Sequence, residues 1–167
     1  GYTTISNGKI YHHLDDRESD WSEVWRPYAF DKNDKGLAPT DHWQSLWKDY
    51  QDPNNKSLYN ATDTGPAYES AEVSDSTYID GLLTEKVIRD LKKLKKSAKP
   101  FFLTAGFITP HLPFNAPKKY WDLYDRTTIK QPENYNYIPR NAPKMSISNW
   151  GEMRSYSNIP KRGQVSD

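Results

Sequence analysis

Cysteine is absent from all 167 residues. That removes a disulfide framework, a thiolate zinc site and a cysteine nucleophile from this stretch, and leaves the redox compartment open. No run of about 18 apolar residues occurs, so nothing reads as a transmembrane helix, and no basic-then-apolar opening reads as a signal peptide. A charge field of one sign is missing as well, since 23 Lys and Arg stand against 22 Asp and Glu, a formal net charge of +1. Chains that gather on nucleic acid or on anionic membranes carry a basic excess, so neither partner is expected. A phosphate-cradling glycine loop, a GxSxG elbow and an HExxH pair are all lacking. There is no initiator Met, and Gly1 opens directly on a β-like run; the chain reads as cut from something longer.

What is present is polar and loop-rich. A mean hydropathy of −0.99 and 12 prolines fit one domain, or part of one, with long irregular connections. Aromatic residues make up 14% of the chain, with 6 Trp and 12 Tyr. Flat amphipathic rings suit a sugar-binding surface; packing beneath long loops accounts for them equally well.

Residues 2–10 are rich in β-branched and aromatic types and run into the polar cluster His12-His13-Leu14-Asp15-Asp16, a strand emptying into a loop. From there to Ser76 the chain reads as mostly irregular, with a short helix expected over residues 41–50, capped by Thr40 or Asp41. A loop that long suits the wall or lid of an active site. Regularity returns at Ile79. Ile79, Leu82, Leu83, Val87, Ile88, Leu91 and Leu94 follow one helical face, and charged residues fill the other. The lysines from Lys92 to Lys99 read as a solvated face near a helix C-terminus, where cations belong. Pro100 ends this helix. Phe101–Phe107 is then a short apolar run of the kind buried on both faces of a parallel sheet, and a helical turn is expected over residues 118–124. Strand, helix and strand in that order make an α/β unit.

In open α/β sheets, ligands bind beyond the carboxyl ends of the strands. Both strands exit into histidines: Lys9, His12 and His13 after the first, His111 between two prolines after the second. Lysine supplies a fixed positive charge, and imidazole exchanges a proton near neutral pH; together they suit an oxyanion. Lone histidines are more often structural, and the residues alone leave both readings open. Asp15, Asp16, Asp31 and Asp34 lack the spacing of a calcium loop, so no metal site is expected within the chain. Asn55-Lys56-Ser57 and Asn60-Ala61-Thr62 match the glycosylation sequon.

Gly1 to His13 resembles the type I sulfatase segment that reads GY-x-T-x-x-x-GK-x-x-H. Lys99 to Phe114 resembles the later segment in which PFFL, a small-residue strand end and PH-x-PF follow one another, and Asp80-Gly81 leads into a similar helix between them. Order and spacing are similar to those of the iduronate-2-sulfatase-like branch, over residues 1–125 well and the remainder loosely. The resemblance implies an alkaline-phosphatase-like α/β/α sandwich with a mostly parallel sheet and long active-site loops, of which residues 1–167 would be an internal segment. It implies that Lys9 contacts the sulfate and the nucleophile, that His12 steadies the nucleophile, and that His111 lies near the ester oxygen. Trp21, Trp25 and His13 are the candidates for the sugar pocket. The resemblance further implies a formylglycine nucleophile and a calcium ion, neither with its residues in this chain, since no C/S-x-P-x-R motif occurs and Asp15-Asp16 follows the wrong strand. It implies a sulfated carbohydrate as substrate, further segments of the same enzyme as partners, and an extracellular or periplasmic location. Two alternatives remain: a phosphatase or phosphonate monoester hydrolase of the same superfamily, and a catalytically silent structural piece.

Overall fold

A computed structural model describes residues 1–11, 17–25, 48–134, 137–147, 151–163 and 165. Strand β1 (Thr3–Gly8) lies at the centre of a three-stranded sheet, with β2 (Glu23–Trp25) on one side and β4 (Phe101–Gly106) on the other. Both pairings are parallel; Ile5 stands opposite Glu23 on one side and Leu103 on the other. Parallel neighbours require a crossover connection. Between β1 and β4 it includes helix α2 (Ile79–Leu94), which packs on both strands. A second, two-stranded parallel sheet joins β3 (Tyr68–Ala71) to β5 (Phe114–Pro117), followed at once by the one-turn helix α3 (Lys118–Trp121).

The α/β unit, its parallel pairing and the bounds of α2 follow the sequence reading. Three points differ from that reading or lie beyond it. Among the described residues before Ser76, β2, β3 and a ten-residue helix α1 (Pro53–Thr62) are regular elements that the sequence reading did not pick out. Asp52 caps α1, its carboxylate accepting from the amides of Asn54 and Asn55 at 2.9 and 3.1 Å, with Pro53 at the first helical position where its missing N–H costs nothing. β4 is not buried on both faces, because Phe101 and Phe102 are 40% and 55% exposed among the described residues. Of the helix expected over residues 41–50, residues 41–47 lie outside the described set, and Lys48, Asp49 and Tyr50 are not helical.

Two buried polar clusters hold the parts in register. Asn7, wholly buried in β1, donates from Nδ2 to Asp90 Oδ2 at 2.9 Å. Lys86, one turn earlier on α2, reaches both Asp90 oxygens at 2.6 and 2.7 Å and Glu23 of β2 at 2.7 Å. Burial works against the Lys86 ammonium, yet its hydrogen bonds to Asp90 and Glu23 outweigh that and hold its pKa above the usual lysine value. A buried charge is tolerable only when paired and hydrogen-bonded in this way. In the second cluster Glu69 of β3, 3% exposed, accepts from the amides of Gln51 and Asp52 at 2.6 and 3.0 Å. It also accepts from Asn55 Nδ2 at 2.9 Å and the Tyr78 hydroxyl at 2.6 Å. One carboxylate thus ties β3 to the start of α1 and to the residue that precedes α2.

Candidate active site

The carboxyl edge of the three-stranded sheet is shaped by two glycines. Gly8 takes φ +74°, and a β-carbon there would stand 2.3 Å from the Gly106 carbonyl oxygen; one on Gly106 would stand 1.9 Å from the Lys9 carbonyl oxygen. Only glycine allows both the left-handed turn and so close an approach. The Lys9 amide donates to Gly106 O at 2.8 Å, so the end of β4 fixes where the lysine leaves β1. Lys9 is half-buried, and its ammonium has no hydrogen bond or ion pair to another described residue.

His111 follows β4 at the same edge. The first turn of α2 sets its loop: Asp80 Oδ1 and Oδ2 accept from the amides of Ile108 and Thr109, both at 2.9 Å. The His111 amide then turns back to Ile108 O at 2.9 Å. Thr109–Pro110 and Leu112–Pro113 are both cis. Nδ1 of His111 lies 2.6 Å from Leu112 O, and Nε2 lies 3.3 Å from Oε1 of Glu152. A carbonyl oxygen only accepts, so Nδ1 is the donor in the first contact.

Of the other candidates, Trp25 ends β2 opposite Asn7, at the edge that bears Lys9. Trp21 is not brought there. It stacks on Phe102 at 6.0 Å between ring centroids, beside the starting halves of the strands, where Ser22 pairs with Thr4. His12 and His13 lie outside the described residues, as do Asp15, Asp16, Asp31 and Asp34. Among the described residues no group of three or more His, Cys, Asp or Glu could hold a metal ion. These side chains do not fit a calcium site.

Sequence reasoning missed two residues. Asp80 was visible only as the residue opening a helix, without sign that it clasps the histidine loop. Glu152 is 41 positions from His111 and lies in a segment of Asn, Pro and Ser with no periodic signal.

Neighbouring parallel strands thus lead at their carboxyl ends into Lys9 and into the loop of His111. The sulfatase sequence profile matches residues 1–161, and the chain belongs to the sulfatase family. It is 30% identical to iduronate 2-sulfatase of Mus musculus over 165 residues, 95% of this chain and 27% of that protein. Against iduronate 2-sulfatase of Homo sapiens it is 30% identical over 168 residues, again 95% and 27%. A sulfatase of Formosa agariphila is 27% identical over 165 residues, 90% of this chain and 30% of that protein. The chain therefore spans between a quarter and a third of the length of these relatives.

Proposed function

We propose that these residues form part of the active site of a sulfuric ester hydrolase, with Lys9 and His111 acting on the scissile group. The observation that carries the reading is their delivery from the ends of β1 and β4 in a chain of the sulfatase family. The Lys9 ammonium offsets negative charge on the sulfate oxygens, more effectively at a half-buried edge than in bulk water. His111 supplies a proton to the oxygen of the departing alcohol. His12, three residues past Lys9 in the sequence, is assigned to the nucleophile's side of the ester on resemblance alone.

The substrate is a sulfated carbohydrate. The names of the mouse and human relatives support this, and Trp25, which ends β2 opposite Asn7, is the tryptophan we assign to a sugar face. The formylglycine and the calcium ion implied by the family are contributed by residues other than those described. The location is extracellular or periplasmic.

The test is Lys9→Ala in an enzyme of the relatives' length, assayed on sulfate and phosphate monoesters side by side. Turnover of the sulfate ester should fall on the order of 100-fold, the usual loss on removing one preorganised charge from an anionic transition state. Wild-type turnover in the variant would sink the role of Lys9. A preference for phosphate esters in the parent enzyme would transfer the reading to the phosphatase branch.

A further inference from the structure

The second half of α2 and the turn after it concentrate positive charge that the rest of the chain does not share. Residues 86–99 hold seven Lys and Arg against a single Asp, a net +6 in a chain whose total is +1. All other residues together therefore sum to −5. Lys86 and Asp90 are the buried pair already described. The other six cations, Arg89, Lys92, Lys93, Lys95, Lys96 and Lys99, are exposed. Among the described residues only Lys93 of these six has an ion pair, to Glu23 at 3.9 Å, and its side chain is still 77% exposed.

Their spacing gathers them on one side. Arg89, Lys92, Lys93 and Lys96 stand at i, i+3, i+4 and i+7, a single stripe on a helix. The turn beyond α2 keeps the winding, since the Lys96 amide donates to Lys93 O at 3.1 Å. Residues three and four apart are neighbours, and like charges there oppose helix formation. The stripe is therefore a local cost to the helix that bears it. Attraction to the helix dipole favours cations in the last turn and falls off there, so it does not account for Lys99, five residues past the end of α2 at Leu94. A surface that works against its own helix in this way belongs to function rather than to folding.

The stripe lies far from the reacting edge. α2 begins at the His111 loop, held by Asp80, and Lys96 is 16 residues further on, about 24 Å along the axis. Past Lys99 the chain enters β4 at Phe101 and Phe102, 40% and 55% exposed, and aromatic rings beside cations suit a sugar backbone with charged substituents.

We propose that Arg89, Lys92, Lys93 and Lys96, continued by Lys95 and Lys99, form a docking surface for a sulfated polysaccharide chain, held by its repeated sulfate groups. The inference rests on the sulfated-carbohydrate reading above and deepens it, making the substrate a polymer held at two places. Lysine ammoniums are point charges on flexible stems, which suits sulfates at irregular intervals. The −5 carried by the rest of the chain opposes a broad anionic surface such as a bilayer, whereas a narrow chain meets the stripe alone. A polymer tethered here raises the local concentration of its sulfate esters at the edge that bears Lys9 and His111.

The test combines Arg89→Gln, Lys92→Gln and Lys96→Gln in an enzyme of the relatives' length, with dextran sulfate as the probe and neutral dextran as the control. Glutamine matches Lys and Arg in helix propensity, so the thermal midpoint should hold or rise as the like-charge pairs disappear; a marked fall would assign the stripe to the fold and defeat the proposal. An exposed ion pair contributes a factor of about 1.4 to 5 in an equilibrium constant. Losing three should therefore raise the Kd for dextran sulfate by about 3-fold to 100-fold at low salt, with turnover of a monosaccharide sulfate unchanged. Added salt should shrink the difference. An equal Kd in variant and wild type would overturn the proposal, as would wild-type binding to anionic phospholipid vesicles without binding to dextran sulfate. An enzyme that cleaves no sulfate ester yet shows the expected loss of dextran sulfate binding would refute the sulfatase reading and leave the docking surface standing.

Discussion

Asp80 is the residue through which α2 holds the histidine loop, and replacing it separates that role from everything else the helix does. Asp80→Ala removes the acceptor for two amides at once, Ile108 N and Thr109 N. A hydrogen bond to a charged acceptor contributes about 1.5–3 kcal/mol, and a buried donor left without a partner costs about 1–3 kcal/mol. The two amides differ. Ile108 is 8% exposed, whereas Thr109 is exposed and can turn to water. Counting the buried amide fully and the exposed one at a fraction gives a local loss of about 2–4 kcal/mol. Expressed as a ratio, that is about 30-fold to 1,000-fold, since 1.4 kcal/mol corresponds to a factor of ten. Native-state hydrogen exchange read at these two amides is the direct assay, because it reports local opening rather than global melting. Protection of the Ile108 amide should fall by that factor in Asp80→Ala. In Asp80→Asn, which keeps one acceptor oxygen, it should fall by a smaller one. Sugar-sulfate turnover should decline in the same order. Unaltered protection in Asp80→Ala would refute the reasoning, showing that the loop is held by the sheet and not by the helix.

Two further outcomes follow from other parts of the molecule. Gly106→Ala should destabilise the protein by about 1–3 kcal/mol, the usual range for overpacking, and should lower turnover by shifting Lys9; a variant as stable and active as wild type would contradict the 1.9 Å approach of the added carbon to Lys9 O. Burial raises the Tyr156 phenol from 10.0 to about 12 in the folded protein, so its contribution to stability is whole below pH 10 and is lost as pH rises toward 12. Denaturant midpoints measured across that interval should decline less steeply in Tyr156→Phe, and identical slopes would show that this phenol is not the group responsible.

Where the fold was legible, the reason is periodicity. The apolar spacing from Ile79 to Leu94 gave the bounds of α2 because one face of it rests on β1 and β4. The glycine and proline punctuation around residues 100–113 marked the strand end and the histidine loop. α1 was missed although its signal was present, an Asp cap followed by Pro, because Asn54, Asn55, Asn60 and Asp52 made the segment look like a turn. Its helix depends on Glu69, which lies 14 positions beyond Asn55 and satisfies the amides at the helix start. β3 was missed for a related reason: buried Glu69 breaks the hydrophobic alternation that would have announced a strand. The exposure of Phe101 and Phe102 could not be read from their own apolarity, which says only that they pack well, not what lies against them. Around the candidate residues Lys9 and His111, the contacts that fix their loops were not legible. Asp80 and Glu152 act through contacts 28 and 41 positions away in sequence, and no local pattern encodes such distances.

Helix α2 is gripped at two points: at Asp80 by the loop that carries His111, and ten residues on, at Asp90, by Asn7 of the strand that delivers Lys9. At 1.5 Å per residue those grips stand about 15 Å apart along the axis. The helix thereby works as a gauge block between the cation and the imidazole. One residue inserted between Asp80 and Asp90 would advance the helix by about 1.5 Å and turn it by about 100°. Both grips could not then be kept. The evolutionary freedom of this helix is therefore in its outward side chains and not in its length.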